Sequence, residues 1–208
     1  MNNREIEGSL VETLKNSDLS EITTDTSELG LDEIIEDGLL QDIPVVSTLV
    51  KLVKTGVNIR DYFFAKNLFK FLASLSELSS EQRKAMVERL EDDEAYRNKV
   101  GESLMVLLDR IDDIGKPELV AKAFKAYSSD AIDAEQLQRI NYAIERLLMV
   151  DIGKLEDFSK ISRGHIYDLV VGQNFLNAGL AYVGTGYGAG GTHPNDICNL
   201  FVQHILKV

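Results

Sequence analysis

Four groups of residues in this 208-residue chain have types that could do chemistry at close spacing. In "SRGHIYD", Ser162, His165 and Asp168 bring a hydroxyl, an imidazole and a carboxylate together, the set used for nucleophilic acyl transfer. That chemistry requires the imidazole to sit between the other two groups, usually carried by separate elements. Three-residue steps along a helix, at about 100° per residue, drift around its surface instead. Ser162 therefore reads as a helix N-cap, with His165 in the first turn.

"GLAYVGTGYGAGGTH", residues 179–193, contains Gly186, Gly188 and Gly191 in the G-x-G-x-x-G pattern of a dinucleotide loop. Such a loop needs a following helix, a second parallel strand and an acidic residue about twenty positions on. The residues after Gly191 suffice for one helix only, so the segment reads as a turn, wing-like in character. A Walker-type loop needs Lys before Ser or Thr, and glycine precedes Thr192 here. His193, Cys198 and His204 are spaced by five and six, which does not stack ligands on one helical face. "DRIDDIG" lacks the alternating acids and the twelfth-position glutamate of a calcium loop. The expectation is a non-enzymatic chain with no catalytic residue, no cofactor and no metal.

The elements that would position such groups read as helices. Composition favours helix, with many Leu, Glu, Lys and Ala, three prolines and no tryptophan. One cysteine cannot form an internal disulfide, and "MNNREIEGSL" has no apolar h-region. No run approaches the ~18 apolar residues of a spanning helix. These features lead to the expectation of a cytoplasmic location, peripheral at the inner membrane in the alternative reading.

Three zones are distinguishable. Residues 1–42 carry 12 acidic and two basic side chains, net −10 of the chain's −12. Within this acidic segment Ile6, Leu10 and Leu14 recur every four residues, as do Leu31, Ile34, Ile35 and Leu39 at helical spacing. Residues 43–150 form the predicted helical core domain. Ser79 with Gln82 and Asp133 with Gln136 are capping-box starts, Gly115 suits a left-handed helix end, and Pro117 suits the next first turn. Leu137, Ile140, Ile144, Leu147 and Leu148 are predicted to share one face. Residues 151–208 mix helices at "LEDFSKIS" and "HIYDLVVGQNFLNAGL", a strand within "LAYVGTG", and a final helix from Asn195 or Asp196. The predicted fold class is mainly α, a multi-helix domain with a small C-terminal winged-helix-like α/β appendage.

The most unusual stretch is "IPVVSTLVKLVKTGVNIRDYFFAKNLFKFLASL", 43–75. Its first half is apolar on most sides, and its second places four Phe and one Tyr beside Lys66 and Lys70. Such a helix is buried between neighbours, lines an oligomer interface, or lies in a bilayer surface. The candidate interaction surface is Val46, Leu49, Lys51, Val53, Lys54, Arg60, Phe64, Lys66 and Lys70. A net of +4 over 43–70 would suit an anionic surface, which the acidic first zone could cover by charge.

Residues 43–75, with "YRNKVGESLMVLLDRIDD" and "AKAFKAYSSDAIDAEQLQRI", resemble a bacterial family of helical proteins that brings no established activity. The resemblance extends over 43–150 and only loosely beyond. It implies a bacterial origin and a helical adaptor role, with no catalytic residues to carry over. The expected function is a non-enzymatic interaction or regulatory module, its partner a protein or a second copy in a homo-oligomer. A membrane-surface effector on an anionic membrane surface is the alternative. A winged-helix nucleic-acid binder ranks third, because 153–208 is formally neutral and phosphates need cationic partners.

Overall fold

A computed structural model describes residues 3–22, 40–53, 59–94, 96, 97, 99–161, 167–184 and 191–207, with the backbone alone at 3, 52, 53 and 59–61. The fold is mainly helical with a small two-stranded antiparallel sheet near the C-terminus, as the composition and periodicity predict. Two compact units divide the chain at 121/122.

The first unit is organised around α1 (Asn3–Asn16). Its four-residue apolar repeat is fully buried at Ile6, Leu10 and Leu14. Helices α2 (Pro44–Val53), α4 (Ser80–Asp92) and α5 (Val100–Arg110) all pack on α1. Between α2 and α4 runs α3 (Ile59–Leu75), packed against α5. Val45, Val46, Leu49 and Val50 of α2 are buried, as are Phe64, Leu68, Phe69, Phe71 and Leu72 of α3. Leu31, Ile34, Ile35 and Leu39 lie outside the described residues.

Short helices leave a large share of their backbone groups at unpaired ends, and a buried end needs a partner. In this unit the partners come from other helices. The Thr13 hydroxyl of α1 accepts from the Val45 N–H in the first turn of α2, at 3.1 Å. Asn67 of α3 donates to the carbonyls of Leu108 and Ile111 at the end of α5, at 2.9 and 3.2 Å. Arg83 of α4, 2% exposed, donates through Nε to the Leu14 carbonyl at 3.3 Å and through its other nitrogens to Leu78 and Ser17. Burial holds its pKa below the ordinary guanidinium value, with Asp18 and Glu81 opposing that shift. The positive group thus sits on the carbonyl end of α1, where the helix dipole is negative.

The expected capping box forms at Ser79, whose N–H donates to Gln82 Oε1 at 2.9 Å and whose hydroxyl accepts from the Gln82 N–H at 3.2 Å. Gly115 departs from expectation. Helix α5 already stops at Arg110, and Gly115 keeps a negative φ, its N–H turned back to Asp113 Oδ1 at 2.8 Å. The aspartate side chain closes the turn locally, so no left-handed residue is needed. Pro117 does lie in the first turn of the next helix, α6 (Lys116–Ser128), within which the second unit begins.

In the second unit the Asp133–Gln136 capping box opens α7 (Ala134–Arg146). Leu137, Ile140, Ile144 and Leu147 are buried on one face, but Leu148 is half exposed. The helix ends at Arg146 and a 3₁₀ segment (Met149–Lys154) follows, so the 3.6-residue phase is lost before Leu148. A short α8 (Leu155–Ser159) places Phe158 against Phe175, ring centroids 4.9 Å apart. The helix expected from "HIYDLVV" begins later, as α9 (Leu169–Asn177). Asp168 is its N-cap, accepting from the Val170 and Val171 N–H groups. Ser162 and His165 lie outside the described residues. Strands β1 (Ala181–Val183) and β2 (Thr192–Pro194) pair antiparallel and pack on α9. Asn195 caps α10 (Asp196–Phe201), which runs into a π-helical turn at Val202–Leu206. The order helix, hairpin, helix makes this C-terminal part winged-helix-like.

Two substitutions of glycine should separate in sign. A Cβ on Gly101 of α5 would lie 2.6 Å from the Glu7 carbonyl oxygen of α1, whereas one on Gly8 meets nothing within 4 Å. Gly101→Ala is expected to cost about 1–3 kcal/mol by forcing α1 and α5 apart. Gly8→Ala should stabilise by about 0.5–1 kcal/mol, both read from chemical denaturation. Arg83→Met should cost about 2–4 kcal/mol in the same measurement, since three carbonyls lose their donor. Arg83→Lys should recover only part, because an ammonium cannot reproduce the guanidinium fork.

Candidate functional site

Three apolar members of the sequence-nominated surface turn inward. Val46 and Leu49 of α2 and Phe64 of α3 are buried in the first unit. Lys51 is exposed, and Lys66 and Lys70 are half-buried. Val53 and Arg60 lie in α2 and α3 with side chains outside the described residues, as does Lys54 altogether. What α3 leaves outside is Phe63, 59% exposed, with the Tyr62 ring edge-on at 6.2 Å. Phe63, Lys66 and Lys70 share a face through their i, i+3, i+7 spacing.

A cleft of about 780 Å³ lies in the first unit, lined in part by Glu12, Asp18, Glu21 and Asp42. Its carboxylates favour cations over anions. Among the described residues no group of three or more His, Cys, Asp and Glu side chains is arranged to hold a metal ion.

The described members of the three chemistry-bearing groups in the second unit hold separate positions and roles. Asp168 is committed to capping α9. Cys198 is fully buried, and that burial pushes its thiol up to about 12, so it stays protonated and unreactive near neutrality. His204 is half-buried on the π-helical turn, the packing position its neighbours predict. His193 is buried on β2 with its ring 5.7 Å from that of Tyr182, and neither ring nitrogen has a hydrogen-bond partner. Gly186 and Gly188 lie outside the described residues. Gly191 has a φ of +116°, which suits glycine at the entry to β2. The flanking strands are antiparallel, so the glycine segment joins a hairpin and lacks the parallel strand of a dinucleotide fold.

Missed by pattern reading was the exposed apolar surface of the second unit. Leu169 and Val170 at the start of α9 are 73% and 78% exposed, and Val150 on the 3₁₀ segment is 80% exposed. Tyr182 and Val183 of β1 are also exposed. From Leu169 to Asn195 the chain carries no Asp, Glu, Lys or Arg, in a protein of net charge −12. That charge-free run was the available signal, because a long uncharged stretch on an acidic chain marks a surface that water does not require.

The 3₁₀ segment is fixed to α9 by Asp151. Its carboxylate accepts from Lys154 at 2.8 Å and from the Asn174 amide at 2.6 Å. Those bonds, Lys154 first, hold the Asp151 carboxyl below its ordinary 3.8. A depressed carboxylate contributes stability in full above its unfolded pKa and loses it as pH falls through the folded value. Asp151→Asn should therefore destabilise the second unit at neutral pH. The gap between the two proteins' thermal midpoints should close progressively below about pH 4.

No protein-family model, curated protein or solved structure matches the chain, so its own surfaces carry the functional reading.

Proposed function

We propose that the chain is a non-enzymatic interaction module that self-associates, using the exposed apolar surface of its second unit. The observation that carries the reading is the exposure of Leu169, Val170, Val150, Tyr182 and Val183 around a charge-free segment. Exposed apolar side chains on elements that pack together, as α9 and β1 do, are a mark of protein contact. The apolar side chains of 45–75 were the sequence-based choice for that contact; among the described ones Val45, Val46, Leu49, Val50, Phe64, Leu68, Phe69, Phe71 and Leu72 are buried in the first unit, and Phe63 is largely exposed. Charge argues the same way. The first unit holds nearly all of the chain's excess acid, so two copies meet with least repulsion through the other.

A second reading draws support from α3, where exposed Phe63 stands beside Lys66 and Lys70. An aromatic side chain flanked by cations suits an anionic membrane surface. No helix among the described residues is long and apolar enough to cross a membrane, so this contact would be peripheral.

Salt separates the two. Self-association of an acidic chain through apolar groups should strengthen as ionic strength rises, while binding of Lys66 and Lys70 to anionic vesicles should weaken. Leu169→Glu with Val170→Glu places acid in the first turn of α9, where the helix dipole favours it, so the fold is retained. Sedimentation velocity should show a concentration-dependent oligomer for the natural chain and a monomer for this variant. The same double change to Glu at Val106 and Ile114, exposed in the first unit, should leave association intact. A natural chain that stays monomeric at every concentration and salt overturns the reading.

A further inference from the structure

The hydrogen bonds of the hairpin decide which backbone groups face outward. The Asn195 N–H donates to the Leu180 carbonyl at 3.2 Å and the Gly184 N–H to the Gly191 carbonyl at 3.0 Å. With Tyr182 opposite His193 and Val183 opposite Thr192, these bonds make Val183–Thr192 a non-hydrogen-bonded pair of the ladder. The N–H and C=O of Val183 therefore point away from β2, along the outer edge of β1. Among the described residues no third strand pairs with that edge. Val183 is 55% exposed, and Tyr182 beside it is exposed as well. The opposite edge differs, because Pro194 of β2 has no N–H to offer a further strand.

Natural proteins protect an open edge with charge, proline or a bulge. β2 carries the proline. β1 carries none of these, and the nearest charged residues in the chain are Asp168 and Asp196.

We propose that β1 pairs edge to edge with β1 of a second copy of this chain, antiparallel about a two-fold axis at Val183. This rests on the self-association proposed above and adds its location and geometry. The outward N–H and C=O of Val183 would bond those of Val183 in the second copy. Tyr182 of each copy would then stand opposite Gly184 of the other, where an aromatic ring covers a glycine that has no side chain to pack. A second copy fits better than an acidic or basic peptide because the segment 169–195 that forms the edge carries no Asp, Glu, Lys or Arg with which to attract one. Two-fold pairing is also self-limiting: the sheet grows from two strands to four and stops at Pro194 on both sides. Leu169 and Val170, close to the hairpin through the packing of β1 on α9, add apolar area to the same contact.

The test uses the full chain in three forms: natural, Val183→Lys and Phe63→Lys. Sedimentation velocity over a concentration series gives the dimer Kd, and amide hydrogen exchange reads Val183 at low and high concentration. Expected are a dimer for the natural chain, an increase of about tenfold or more in Kd for Val183→Lys, and no change for Phe63→Lys. The Val183 amide should exchange freely in the monomer and become protected in the dimer. A dimer whose Kd is unmoved by Val183→Lys, or whose Val183 amide stays unprotected, overturns the edge pairing and leaves self-association standing. A natural chain that is monomeric throughout overturns both. Protection of Val183 only when an unrelated protein is added, without a dimer, identifies a foreign strand as occupant and also overturns the proposal.

Discussion

The closing of helix ends by side chains from other helices is the constraint on which the first unit depends. Its helices are short, so their terminal carbonyls and N–H groups form a large part of what must be buried. Where such a group is buried, leaving it unpaired costs on the order of 1–3 kcal/mol. Arg83 answers the largest demand. It reaches from α4 to Leu14 and Ser17 at the end of α1, and to Leu78 before α4 begins. A buried cation is expensive without partners, yet two carbonyls at the negative end of α1 and the Leu78 carbonyl supply them. Asn67 and Thr13 do the same work for α5 and α2. Apart from the Arg83–Leu78 bond, these bonds join elements distant in sequence, so they also set how the helices cross.

The two units solve the burial problem differently. The first commits the apolar stripes of α1, α2 and α3 to its own core and shows water a strongly acidic exterior. The second leaves Val150, Leu169, Val170, Tyr182 and Val183 exposed around an uncharged segment. Asp151, held by Lys154 and Asn174, anchors the 3₁₀ segment that carries Val150 to α9.

Local signals in the chain were legible where one stretch decides its own geometry. The capping boxes at Ser79 and Asp133 have both bonds within four residues, and both are present. Asn195 as the last N-cap and the hairpin reading of the glycine segment follow from equally local chemistry. Leu148 and Gly115 were misplaced for a shared reason. The helices end before them, at Arg146 and Arg110, and periodicity carries no information about where a pattern stops being a helix. Arg83 was invisible because a charged residue on an amphipathic helix reads as solvated, and only its distant carbonyl partners make burial tolerable.

By itself the sequence determined the mainly helical class, the small C-terminal α/β appendage and the acidic imbalance toward the N-terminus. These depend on composition, on 3.6-residue periodicity and on caps, all properties of neighbouring residues. Only the tertiary structure decided that the apolar 45–50 and 64–72 side chains face inward, and that apolar side chains of α9 and β1 stay exposed. The physical reason is that an apolar side chain is indifferent to which partner removes it from water. Burial inside one chain and burial between two chains write the same residues, and the packing of other helices chooses between them.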